Sequence, residues 1–115
     1  MDWRRLYQHV DRLDAEAFAA AFSEDGRMTF GNAPALVGRS AVETGTAGFF
    51  KSIKGLRHEF VATWERGDTS ILEFRATYHR LDGKTVTIPA VTVLRLNGGK
   101  IQDGRVFYDP SPIYA

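Results

Sequence analysis

A small set of side chains in this sequence could do chemistry together: His58, Tyr78, Tyr108, Thr92, Asn32, Phe30, Trp64, Phe74 and Asp109. Histidine is the residue type that titrates nearest neutrality, so His58 is the acid/base candidate. Its bland alternative is a hydrogen-bonded structural histidine at a pocket rim. Tyr78 and Tyr108 can donate hydrogen bonds to a ligand oxygen, as an oxyanion hole does, or be core aromatics whose hydroxyls find solvent or backbone. Asn32 either contacts a ligand or closes its own turn through its side-chain amide. Phe30, Trp64 and Phe74 would be apolar wall. Asp109 follows Tyr108 and shares a strand face with Arg105, which suggests an outward salt bridge or dimer contact; a twist at the strand end would instead turn it towards a pocket mouth.

Other chemistries find no pattern. His9, His58 and His79 lack the short spacing of a metal site. Gly45 and Gly48 lack the strand–loop–helix context and the lysine of a phosphate loop. The serines fall in caps, turns and tail, with no base beside them. No metal and no cofactor is therefore expected.

Composition narrows the class. The chain has 115 residues, 43% hydrophobic and 25% charged, with a formal net charge of +1. These are values of an ordinary soluble domain. Basic residues are scattered, which argues against nucleic acid as a partner. No apolar run approaches the ~20 residues of a membrane span. There is no cysteine, which excludes disulfides and fits a reducing compartment; a cytoplasmic location is the expectation.

The elements that must position these groups follow from periodicity. Trp3, Leu6, Tyr7, Val10 and Leu13 recur at helical spacing and predict a helix over 2–12, with Arg4, Arg5, Gln8 and Asp11 elsewhere on its surface. Asp14 is a candidate N-cap for a second helix, 15–22, ended by Ser23-Glu24-Asp25-Gly26. A short strand, 27–30, precedes the turn Gly31-Asn32-Ala33-Pro34. A third helix starts at Ser40, where Ser40 and Glu43 have capping-box spacing, and Gly55 is placed just past its end. Four strands then follow, 56–66, 69–81, 85–96 and 101–108. They are separated by Gly67-Asp68, Asp82-Gly83 and Asn97-Gly98-Gly99, the residues that tight hairpin turns favour. The order α-α-β-α-β-β-β-β predicts an α+β fold with a curved antiparallel sheet around the helices.

Strict alternation assigns the strand faces. His58, Phe60, Ala62 and Trp64 share the inner face of the first long strand, and Leu72, Phe74, Ala76 and Tyr78 that of the second. In the third, periodicity leaves open which of the sets Ile88-Ala90-Thr92-Leu94 and Pro89-Val91-Val93-Arg95 faces in. The inner face is mostly apolar with isolated polar groups, which suits a small, largely apolar organic ligand. Val91, Val93 and Phe107 on the outer face suggest a homodimer through the sheet.

The element order, Phe22-Ser23-Glu24-Asp25-Gly26, Gly38-Arg39-Ser40-Ala41-Val42 and Asn97-Gly98-Gly99-Lys100-Ile101 before Tyr108-Asp109 together resemble the nuclear transport factor 2-like superfamily, in its SnoaL-like branch. The resemblance covers nearly the whole chain and implies one SnoaL-like domain over 1–115. The implied fold is a cone, a curved sheet closed by three helices (cystatin-like). Many members are homodimers, and the fold hosts isomerases, epoxide hydrolases, cyclases and binding modules. The carboxylates of the isomerase-like and epoxide-hydrolase-like members have no counterparts here: Phe30, Phe74, Ala76, Thr92 and Val106 fall at or near their positions. The resemblance therefore leaves two readings. One is cofactor-free acid/base chemistry of isomerase, cyclase or hydrolase type, with His58 moving a proton. The other is a non-catalytic small-ligand-binding or dimeric association module.

Overall fold

The computed structural model describes all residues, Met1–Ala115. Helices α1 (Trp3–Asp11) and α2 (Ala15–Ala20) lead into strand β1 (Phe22–Phe30) and the two-residue strand β2 (Leu36–Val37). Helix α3 (Arg39–Lys51) precedes strands β3 (Ile53–Arg66), β4 (Thr69–Arg80), β5 (Thr85–Asn97) and β6 (Lys100–Phe107), and a final turn of helix, α4 (Ser111–Tyr114), ends the chain. The fold is α+β, with one curved sheet ordered β2-β1-β6-β5-β4-β3. The last four strands form the expected antiparallel meander. The sheet as a whole is mixed, because β1 lies parallel to β6.

The helices begin where side chains can replace missing backbone partners. Asp2 accepts the N–H of Arg5 (3.1 Å), and Asp14 that of Ala17 (3.0 Å). Each such cap contributes about 0.5–2 kcal/mol. Trp3, Leu6, Tyr7 and Val10 form the buried stripe of α1. The helix stops in a two-bond C-terminal motif: Leu13 N–H donates to Val10 O (2.8 Å) and Asp14 N–H to His9 O (3.0 Å). Leu13 stands where glycine is usual, at φ +58°. That backbone region costs a non-glycine residue roughly 1–2 kcal/mol.

Several local expectations are corrected. Ser23–Gly26 does not end α2 as a loop; it belongs to β1, whose register against β6 shifts between Phe22 and Arg27. The Ser23 hydroxyl donates to Gln102 Oε1 at 2.7 Å across that irregularity. The capping box at Ser40 does not form, because the helix starts one residue earlier, capped by Gly38 with no side-chain bond. Gly55 lies inside β3, which runs straight on from α3.

The largest correction is in β3. Phe60 pairs with Phe74, but the next partner, Glu73, faces Ala62. Val61 is an extra residue, a β-bulge, and one extra residue exchanges the two faces of everything beyond it. Trp64 therefore sits opposite Ile71 on the outer face and is 53% exposed. It is not pocket wall. In β5, pairing with Leu72, Phe74 and Ala76 places Thr92, Ala90 and Ile88 inside.

One apolar core joins the helices to the concave face of the sheet. Gly26 shows how closely β1 and β6 approach: a Cβ there would lie 2.6 Å from the Ile101 carbonyl oxygen. Backbone cannot step aside as a side chain can. Gly26→Ala is expected to lower stability by about 1–3 kcal/mol, measured by urea unfolding.

Candidate functional site

The site is built around His58. Asp11, the last residue of α1, accepts from His58 twice. The backbone N–H of His58 donates to one carboxylate oxygen (3.0 Å), and ring Nδ1 lies 2.7 Å from the other. A carboxylate only accepts, so Nδ1 carries the proton in this pair. Nε2 of the neutral ring is then left with its lone pair and has no protein partner. This is the base-plus-orienter arrangement that general-base chemistry uses.

Aromatic rings hold the imidazole in place. The Tyr7 ring lies 4.8 Å from it and the Phe74 ring 4.8 Å, with Tyr7 and Phe74 themselves 4.6 Å apart. His58 lines an inner cavity of about 40 Å³, together with Tyr7, Thr46, Tyr78, Thr92 and apolar side chains. A space of this size has room for about three water molecules.

The polar groups around it are proton donors. Burial pushes the Tyr7 hydroxyl well above the ordinary tyrosine range, with the Thr92 side chain working against that and Asp11 adding to it. Burial does the same to Tyr78, and nearby tyrosines add to the shift. Tyr108 is pushed up to about 12, by burial first and Tyr114 second. All three stay protonated through neutral pH. Thr46, on α3, is 2% exposed, and its hydroxyl has no partner.

A second, open cleft of about 700 Å³ lies outside the first. Phe30, Phe49 and Tyr108 are walls of both. Asn32 and Asp109 line only this outer cleft. Asp109 is exposed, and its carboxylate accepts the N–H of Ser111 at 3.0 Å, a bond that holds its pKa below the ordinary value. It is not within the inner cavity. Thus His58, Phe74, Tyr78 and Thr92 meet inside, Phe30 and Tyr108 stand between the two spaces, Asn32 and Asp109 lie outside, and Trp64 is on the far side of the sheet.

Sequence reasoning missed Asp11, Tyr7 and Thr46. Helical spacing assigns Asp11 to the surface of α1. Its signal was an acidic residue at a helix C-terminus, where the helix dipole disfavours negative charge. Tyr7 passed as core because its helical spacing is that of core. No signal marked Thr46. No group of three or more His, Cys, Asp or Glu side chains gathers to hold a metal ion. No helix is long and apolar enough to cross a membrane.

A curved sheet whose concave face and helices surround an apolar cavity is the arrangement of the nuclear transport factor 2-like class. Within it, residues 3–104 match the SnoaL-like domain, and the chain belongs to that family. A nuclear transport factor 2-like protein of unknown function from Burkholderia pseudomallei superposes with a TM-score of 0.83 at 19% identity, over 97% of this chain and 94% of that one. A hypothetical protein with a ketosteroid isomerase-like fold from Catenulispora acidiphila, in complex with trimethylamine, gives 0.82 at 18% identity, over 94% and 88%. TerC, co-crystallised with polyporic acid, gives 0.82 at 17% identity, over 95% and 89%. No curated protein matches the sequence.

The tyrosines set an alkaline limit. The unfolded chain releases phenol protons near pH 10, while the folded chain holds them to higher pH. This stabilisation is complete below about pH 10 and is lost as pH rises towards the folded values. Tyr7→Phe, which has no proton to release, is expected to flatten the fall in melting temperature between about pH 10 and 12, followed by calorimetry.

Proposed function

We propose that the protein is a cofactor-free acid/base enzyme that moves a proton next to the carbonyl group of a small, largely apolar compound. The observation that carries this reading is the pairing of Asp11 with His58, which spends Nδ1 and leaves Nε2 free beside an apolar cavity. Nε2 takes the proton from the carbon beside the carbonyl, and the electron pair of that C–H bond moves to the carbonyl oxygen. The Asp11 carboxylate stabilises the imidazolium that results. Protonated tyrosine hydroxyls, Tyr78 foremost, donate to the developing oxyanion. Return of the proton to another position gives isomerisation, and attack of the enolate carbon on a second carbonyl gives cyclisation.

Membership of the SnoaL-like family supports a small-molecule ligand. So do the organic molecules in two of the similar structures, trimethylamine and polyporic acid. The alternative is a module that holds a ligand without turning it over. One observation favours it: the lining of the inner cavity contains no carboxylate.

Exchange of α-protons for deuterium separates the readings without knowledge of the natural substrate. With cyclohexanone or 2-acetylnaphthalene in D2O, the wild type is expected to exchange α-protons measurably above buffer, followed by proton NMR. His58→Gln should lose about 10²–10⁴-fold of that rate. Asp11→Asn should lose less and change the pH profile of exchange, as an orienting residue does. Binding of either ketone without exchange would favour the holding module.

The outer sheet face is the proposed dimer surface. Pairing across β3, β4 and β5 sets Trp64, Ile71 and Val93 in one row, and Ala62, Glu73 and Val91 in the next with Phe107 of β6. Trp64 and Phe107 are 53% and 55% exposed. Val93→Glu is expected to convert a dimer to the 12.9 kDa monomer in sedimentation velocity; a dimer unchanged by it would place the interface elsewhere.

A further inference from the structure

The cavity beside His58, at about 40 Å³, is far smaller than the cleft outside it, at about 700 Å³. Anything that reaches His58 from that cleft passes Phe30, Phe49 and Tyr108, the walls the two spaces share. Phe30 and Phe49 are stacked, 6.0 Å apart and 30° from parallel, and Phe49 meets Tyr78 edge-on at 6.2 Å.

Two features of α3 have no internal explanation. The first is Gly48. An interior helical glycine costs stability relative to alanine. At Gly45 packing accounts for it, since a Cβ would fall 2.5 Å from a Leu36 methyl. At Gly48 nothing lies within 4 Å of a built Cβ, and φ is not positive. Neither crowding nor backbone geometry requires glycine there. Its bareness leaves open space in the outer cleft, which it lines. The second feature is Thr46, two residues earlier. A helical threonine ordinarily bonds the carbonyl one turn back. Here the hydroxyl is buried and without a partner, in a residue that lines the inner cavity.

We propose that the substrate binds in two parts across this gate. A flat, mostly apolar ring body lies in the outer cleft over Gly48, and its carbonyl end passes the aromatic walls to accept a hydrogen bond from Thr46. Gly48 is then a specificity-determining residue, and Thr46 a binding residue. Polar substituents on the body meet Asn32 and the exposed carboxylate of Asp109 at the rim. A hydroxyl substituent suits Asp109, since its carboxylate can only accept. This inference rests on the carbonyl-compound reading given above.

Equilibrium binding tests it, with 2-acetylnaphthalene as the extended probe and cyclohexanone as the small one, both followed by NMR titration. All measurements carry His58→Gln, so that chemistry does not enter. The extended ketone is expected to bind at least about tenfold tighter than the small one, the discrimination an added apolar contact gives. Gly48→Leu should remove that advantage and leave cyclohexanone unchanged. Gly48→Ala keeps the test alive if the leucine variant misfolds: it should raise the melting temperature by about 2–6 °C and weaken only the extended ketone. Thr46→Val should weaken both by about 2–12-fold, the loss of one hydrogen bond. The inference is overturned if neither ketone binds. It is equally overturned if the Gly48 variants leave the extended ketone bound as before, or weaken both alike. Absent proton exchange with intact Gly48 dependence would sink the enzyme reading alone, and the reverse would sink this inference alone.

Discussion

The carboxylate of Asp11 fixes two things at once. It ends α1 against β3, and it sets which nitrogen of His58 is free. Hydrogen bonds to a charged group contribute about 1.5–3 kcal/mol each when shielded from water. Against them stands an acidic residue at the negative end of a helix, a cost of about 0.3–1 kcal/mol. Leu13 adds strain just beyond, in the motif that stops the helix. Two local penalties, at Asp11 and Leu13, are sustained because the contacts they permit are worth more. With α1 laid down this way, Tyr7 packs on both His58 and Phe74 and becomes part of the cavity lining.

The cavity is apolar because the concave face must also be the core. Phe74, Ala76, Leu72 and Leu94 are fully buried there. Each polar group admitted to that face would cost free energy if left unpartnered. Asp11 answers this for His58. Burial keeps the tyrosine hydroxyls neutral, so no phenolate charge is buried there. Thr46 and the Trp3 indole N–H are the exceptions among buried side chains; only Thr46 lines the cavity.

Much of the fold was legible in the sequence. Hairpin signals at Gly67, Gly83 and Gly98-Gly99 match turns at positive φ, and the stripe of α1 gave its buried face. What was not legible was nonlocal. The parallel pairing of β1 with β6 joins residues some eighty apart in sequence, and nothing in Ser23–Gly26 alone announces it. The bulge at Val61 has no glycine to mark it, so strict alternation carried Trp64 to the wrong face. On the inner face, alternation alone puts His58, Phe74 and Tyr78, while Thr92 is decided only by its pairing with Leu72. Alternation could not find Asp11, since a residue on the edge of a helix stripe is assigned only by what the helix meets.

The extra residue at Val61 also separates two tasks within one strand. Before it, β3 gives His58 and Phe60 to the interior; beyond it, the tip gives Trp64 to the outside. A one-residue deletion there would return the indole to the concave side and reverse the facing of every residue to Arg66. The bulge thus works as a phase switch in the alternation. Residues on one side of it can change to suit a ligand, and those on the other to suit a neighbouring surface, without either set constraining the other.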